Sequence, residues 1–138
     1  MKLTRWTPLT LVAPGLYIET GDFWEEFDLD LWAREQYDWV QDPWNGFLDI
    51  AKEPSITVED EEGDCEDFAL VAISWAVAND RDDIGLGFCW KTTRPWPTHA
   101  IAFDATTVYS SGDIMEISLD SWLANSPYQF AVRRRVSV

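Results

Sequence analysis

The chain has 138 residues and a formal charge of −15, because 25 acidic residues outnumber 10 Lys plus Arg. Its length suits a single domain, and no apolar run approaches the roughly 20 residues that a membrane-spanning helix needs. Since like charges repel, the acidity argues against nucleic acid and anionic membrane surfaces as partners.

The acidic residues are of an unusual kind. Asp (15) exceeds Glu (10), and only three of the basic residues are lysines: Lys2, Lys52 and Lys91. Short, strongly hydrated acidic side chains with few long Lys stems are suited to molar salt, where charge repulsion is screened within about 3 Å. The composition therefore predicts a halophilic protein.

The first third of the chain is predicted to be an extended lead-in followed by helices. Residues 1–21 contain Pro8 and Pro14, which also argue against a secretory signal peptide. A helix is predicted over 23–38, with Asp22 as its N-cap.

Pro43 is predicted to open a second, short helix over Trp44 to Ala51. The polar residues 53–62 are interpreted as an acidic loop.

The segment from Phe68 to Ala78 is apolar on almost every side and predicts a buried central helix. Asp64 stands at the N-cap position, and Asp67 three residues later completes a capping box. Cys65 then falls in the first helical turn, and the helix ends in the segment 79–85.

After this helix the apolar period changes to two, which predicts an antiparallel sheet and an α+β fold. The predicted strands are Leu86 to Thr92, Thr98 to Asp104, Thr107 to Ser111 and Tyr128 to Val138. A hairpin is expected around Ala105 and Thr106, a loop at Pro95 and Pro97, and a short helix over Ser118 to Asn125.

Cys65 and His99 are the residues best suited to nucleophilic chemistry. A helix N-terminus favours a thiolate, and its N–H groups can also stabilise an oxyanion. His99, the single histidine, is the available base. The acidic residues next to Cys65 have the opposite influence, because their negative charge disfavours the thiolate. Cys89, between Phe88 and Trp90 in a predicted strand, is interpreted as structural.

The two cysteines and one histidine form no CxxC motif or histidine pair, so neither a zinc site nor a disulfide framework is expected. No cofactor is expected either. A reducing, intracellular origin fits this cysteine usage.

The stretch from Gly63 to Leu70, Gly-Asp-Cys-Glu-Asp-Phe-Ala-Leu, resembles the nucleophile motif of bacterial and phage transglutaminase-like cysteine proteinases. Trp39 to Leu48 is similar to the aromatic segment that precedes that motif in the family. Thr98 to Phe103 resembles the strand that the family's histidine opens. The resemblance covers about 22–113 and implies a papain-like fold with a Cys–His–Asp triad that transfers acyl groups from amides.

The third member of the triad departs from the family, which has Asp on the strand after the histidine. Here that stretch is Val108 to Asp113. A two-residue turn at 105–106 places Gly112 opposite His99 and Ser110 diagonal to it on the same face. A shift by one residue places Ser111 opposite and Asp113 diagonal. Asp104 is on the other face of the histidine strand unless a bulge intervenes.

The sequence is compatible with two functions. One is a cysteine peptidase or amidase, with transglutaminase-type cross-linking as a variant, acting on an unidentified peptide or amide. The other is a scaffold with this fold, such as a tail component of a halophilic tailed virus, with protein partners bound through exposed aromatics and Arg133, Arg134 and Arg135. The expected location is the cytoplasm of a high-salt organism, or a virion.

Overall fold

The computed structural model describes residues 3–6, 18–40, 50–81, 83–91, 97 and 99–136, without the side chains of 3–6 and 50–52. In these residues the helices are α1 (Asp22–Glu26), α2 (Leu29–Glu35), α3 (Pro54–Asp60), α4 (Cys65–Ala78) and α5 (Leu119–Ala124). The strands are β1 (Leu3–Trp6), β2 (Asp38–Trp39), β3 (Ile50–Lys52), β4 (Glu62–Gly63), β5 (Gly85–Trp90), β6 (His99–Phe103), β7 (Val108–Ser110), β8 (Asp113–Met115) and β9 (Phe130–Arg135).

Within the described residues the main sheet has five strands in the order β8-β7-β6-β5-β9, and each neighbouring pair is antiparallel. Two smaller pairs, β1 with β3 and β2 with β4, lie outside it. The predicted α+β class with an antiparallel sheet is therefore confirmed.

The central helix begins as its sequence predicts. The Asp64 carboxylate accepts from the N–H of Asp67 at 3.0 Å, and the Asp67 carboxylate accepts from the N–H of Asp64 at 3.1 Å. This reciprocal capping box satisfies two of the donors that a helix start leaves without an intrahelical acceptor. Cys65 is the first residue of α4.

Helices cover both faces of the sheet. On one face α4 packs its buried side chains, Phe68 and Ala72 among them, against residues such as Leu86 and Ala102. On the opposite face Leu119 of α5 packs with Ile101. Because successive strand residues alternate between faces, Ala100 faces α4 and its neighbours in β6 face α5.

The predicted single helix over 23–38 is wrong, because α1 and α2 are separate. Phe27 has an extended backbone, and the Asp28 carboxylate accepts from the N–H of Leu31 at 3.0 Å. This side chain competes with the helical hydrogen bonds and starts a new helix instead. The expected N-cap at Asp22 is also wrong, since Gly21 holds that position and Asp22 is helical.

The loop predicted over 53–62 is also wrong. Pro54, whose missing N–H costs nothing at the start of a helix, opens α3. The Ser55 N–H and hydroxyl both donate to the Glu19 carboxylate, at 2.6 and 3.0 Å, which secures the first turn. Of the predicted helix from Trp44 to Ala51, 44–49 lie outside the described residues, and 50–51 belong to β3.

The later elements follow the sequence with small shifts of their ends, except that strand β8 was not predicted. The hairpin turns at 105–106, and Ser118 caps α5 by accepting from the N–H of Ser121. Strand β9 ends at Arg135, and Val138 lies outside the described residues, as do Pro95 and most of the lead-in. Within the described part of the chain, no helix has the length and apolar character required to cross a membrane.

Candidate active site

The Cys65 thiol lies between the start of α4 and the start of β6. Its side chain is half-buried, and its sulfur accepts a hydrogen bond from the backbone N–H of Ala100 at 3.4 Å. Because one peptide unit separates that nitrogen from the Cα of His99, the sulfur lies within about 6 Å of that Cα. The fold thus brings the predicted nucleophile and the predicted base to the same end of the sheet but on different faces, because Cys65 packs with the α4 side and the His99 ring packs on the α5 side.

Tight packing around Gly63 explains why the nucleophile motif starts with glycine. A Cβ at this position would lie 2.7 Å from the Cβ of Asp67, which is closer than atoms can approach. The Asp67 side chain must fold back over Gly63 to complete the capping box. The Tyr37 hydroxyl donates to the carbonyl of Gly63 at 2.8 Å and fixes the segment from outside the helix. Burial, followed by the charges of Cys65 and Asp64, raises the pKa of Tyr37.

His99 opens β6 and contacts Ser110 of β7. The imidazole Nε2 and the Ser110 hydroxyl are 2.8 Å apart. The pairs Ala102–Tyr109 and Phe103–Val108 set the register in which Ser110 lies diagonal to His99. Strand β7 ends at Ser110, and Gly112, which this register would extend to the position opposite His99, lies in the turn to β8. This is the first of the two registers considered from the sequence.

Two aromatic rings hold the imidazole from the α5 side. The Tyr128 ring stacks on His99 with a centroid distance of 5.5 Å and an angle of 6°, and the Trp122 ring lies at 6.1 Å and 23°. Burial lowers the pKa of His99 from its usual 6.5 to about 4. The imidazole is therefore neutral at pH 7 and able to accept a proton.

The low pKa of His99 predicts an acid-sensitive fold. Above pH 6.5 the imidazole is neutral in both states, whereas between pH 6.5 and 4 only the unfolded chain takes up the proton. The free energy of unfolding should therefore fall by about 2 kcal/mol between pH 7 and 5 from this residue. Urea unfolding of the parent and of His99→Gln at both pH values measures it, and an equal pH dependence in the two proteins would contradict the prediction.

The other candidates for the third position lie farther away. Asp113 is paired with Ser110 across the β7–β8 ladder, one strand beyond His99, and its side chain is exposed. Ser111 occupies the turn between these strands with φ 44°. Ser110 is thus the member of this group that the structure brings into contact with the imidazole.

Asp104 stabilises the turn that follows the other end of β6. Its carboxylate accepts from the N–H groups of Thr106 and Thr107, from the Tyr109 hydroxyl and from Arg81. Burial opposes ionisation of this group, but these hydrogen bonds and the Arg81 charge outweigh it, so the pKa of Asp104 is lowered. The residue closes the hairpin.

Cys89 lies directly opposite His99 in the β5–β6 ladder, with no exposed surface. Burial raises the pKa of its thiol to about 12. The two cysteines are therefore placed in very different surroundings, one at a helix start and one inside the sheet.

Sequence reasoning missed Trp122, Tyr128 and the Ala100 N–H as parts of this site. The helix bearing Trp122 is predicted from its Ser118 cap, but nothing local indicates that it covers His99. In the described residues, no group of three or more His, Cys, Asp or Glu side chains could hold a metal ion.

Comparison of the chain with protein-family models, with curated proteins and with solved structures finds no match.

Proposed function

We propose that this protein is a cysteine-nucleophile acyl-transfer enzyme with a papain-like, transglutaminase-like fold, acting as a peptidase or amidase. One observation carries the proposal: the Cys65 sulfur, at the first residue of α4, accepts from the N–H of the residue that follows His99. Transglutaminase-type cross-linking uses the same acyl-enzyme and differs in the acceptor that attacks it.

In the first step the neutral imidazole of His99 takes the thiol proton as the sulfur of Cys65 attacks the amide carbonyl. Since Nε2 contacts Ser110, the proposal assigns the proton transfer to Nδ1. Because the imidazole packs on the α5 side of the sheet and Cys65 belongs to α4, this transfer requires the imidazole to turn toward Cys65 at the end of β6 or one water to relay the proton. The backbone N–H of Cys65 stabilises the tetrahedral oxyanion. The imidazolium then protonates the leaving amine, and water attacks the thioester to release the acid and restore the thiol.

In this scheme Ser110 replaces the family's aspartate as the group that orients the imidazole. In the tautomer that leaves a lone pair on Nδ1, the Ser110 hydroxyl accepts the hydrogen bond from Nε2–H. A neutral hydroxyl cannot stabilise the imidazolium as a carboxylate does, which agrees with the low pKa of His99. His99 is therefore a neutral but weak base.

A reactive ester tests this proposal without knowledge of the substrate. With 4-nitrophenyl acetate we expect a burst of one nitrophenolate per chain and an acetyl group on Cys65 by mass spectrometry. The acylation rate should fall about 10²–10⁴-fold in His99→Ala, the usual contribution of a general base. In Ser110→Ala it should fall about tenfold, the worth of one hydrogen bond.

The Cys65→Ala and Cys89→Ala variants are the matched controls. Loss of the burst in the first and its retention in the second would agree with the proposal. A burst that survives Cys65→Ala, or no burst in the folded parent, would refute it.

The second candidate is a scaffold or assembly protein, which the exposed aromatic residues favour. Trp39 and Phe23 are 53% exposed, and Phe130 is 45% exposed. Such side chains suit protein interfaces, as do Arg133, Arg134 and Arg135. A tail component of a halophilic tailed virus fits this alternative. The proposed location is a virion for the scaffold and the cytoplasm of a high-salt organism for the enzyme. An absent burst would favour the scaffold.

A further inference from the structure

Strand β9 has an outer edge able to accept another strand. Among the described residues β9 pairs with β5 on one side and with no strand on the other. The Val136 N–H donates to the carbonyl of Ile84, which lies opposite it. Since backbone groups in an antiparallel ladder alternate in direction, those of Ala131, Arg133 and Arg135 point away from β5.

This edge carries positive charge in a protein of −15. Arg133 forms an ion pair with Asp120 of α5, and Arg134 donates to the carbonyl of Arg133. The Arg135 side chain is exposed and forms no hydrogen bond or ion pair within the described part of the chain. Charges on an edge strand deter aggregation, but acidic residues, which predominate among the exposed charges of the described residues, would do that equally well. The presence of arginines on this edge strand therefore indicates a partner with acidic side chains.

The edge also has an apolar end beside a cleft. Phe130 is 45% exposed and stacks on Trp90 with a centroid distance of 5.6 Å. A cleft of about 510 Å³ adjoins it, lined by Tyr128, Arg133 and Asp120 among others. A strand added to β9 would therefore direct alternate side chains into a cleft beneath α5.

We propose that the outer edge of β9 binds an extended, acidic polypeptide segment of another protein by strand addition. Main-chain hydrogen bonds to the outward groups would supply affinity, with the added strand replacing Arg134 at the Arg133 carbonyl, and a carboxylate facing Arg135 would supply selectivity. A second copy of this chain is disfavoured, because two-fold pairing of β9 with itself sets the arginine runs side by side. Guanidinium–carboxylate contacts at about 3 Å also retain much of their attraction in high salt, because their length does not exceed the screening length there.

Fluorescence anisotropy with labelled peptides tests this surface. The probe is a peptide of about six alternating Thr and Glu residues, the length of a typical strand, in about 0.5 M KCl. We expect it to bind, and the matched Thr–Lys peptide not to bind. Arg135→Glu should weaken binding at least about tenfold. Arg34→Glu makes the same charge change on α2, away from β9, and should leave binding unchanged.

A second variant tests the contribution of the backbone hydrogen bonds to binding. Ala131→Pro removes an outward N–H without a charge change and should also weaken binding, provided thermal melting shows that the fold is retained. Equal effects of Arg135→Glu and Arg34→Glu, or equal binding of the two peptides, would overturn the proposal. So would a dimer in light scattering that Arg135→Glu disperses, since the occupant would then be a second copy. Cys65→Ser should bind the peptide like the parent, so this result does not depend on the acyl-transfer proposal.

Discussion

Iodoacetamide at pH 7.5 is expected to alkylate Cys65 at least about 100-fold faster than Cys89. The thiolate is the reacting form, and burial raises the pKa of Cys89 to about 12, so almost none of that thiol is ionised. The Cys89 side chain also has no exposed surface, whereas Cys65 is half-buried at the start of α4. Quenched time points analysed by peptide mass spectrometry give the two rates.

Two controls separate activation of Cys65 from simple access. In about 8 M urea, where neither protein environment persists, the two cysteines should react at similar rates. In folded His99→Ala the Cys65 rate should fall, because the base has been removed while the access remains. Similar rates for the two cysteines in the folded parent, or an unchanged Cys65 rate in His99→Ala, would contradict a reactive Cys65–His99 pair.

The local parts of this site could be predicted because short-range physics determines them. The capping box of Asp64 and Asp67 involves residues three apart, and it places Cys65 at the helix start. The two-residue turn at 105–106 sets the strand register, and that register places Ser110 beside His99. In both cases a few neighbouring residues determine the geometry.

The parts that sequence reasoning missed depend on contacts between distant segments. Trp122 and Tyr128 stack on His99 only after α5 has packed across the sheet. The helix over Pro54–Asp60 depends in part on hydrogen bonds from Ser55 to the distant Glu19. Periodicity contains no information about either contact. The sequence alone therefore could not predict the burial that keeps the imidazole neutral.

The melting temperature is expected to climb steeply with KCl and to continue rising above 1 M. With 25 acids against 10 bases, the folded surface concentrates negative charge that the expanded chain spreads out. Exposed acidic residues crowd along α1 and α2, from Asp22 to Glu35, and again over 59–62. Increasing salt from about 0.1 M to 1 M shortens the screening length from about 10 Å to about 3 Å and relieves most of this repulsion.

A charge-neutralised variant separates this electrostatic effect from the general action of cosolutes. Glu26, Glu35 and Glu59 are exposed and lie in the last turns of α1, α2 and α3, where the helix dipole also disfavours acids. The triple variant Glu26→Gln, Glu35→Gln, Glu59→Gln should melt several degrees higher than the parent at about 0.1 M KCl, and at nearly the same temperature at about 2 M. Sucrose, which stabilises by exclusion, should raise both proteins equally. A parent melting temperature that stays flat or falls between about 0.1 and 2 M KCl would refute the halophilic assignment, and with it the high-salt setting of both proposed functions.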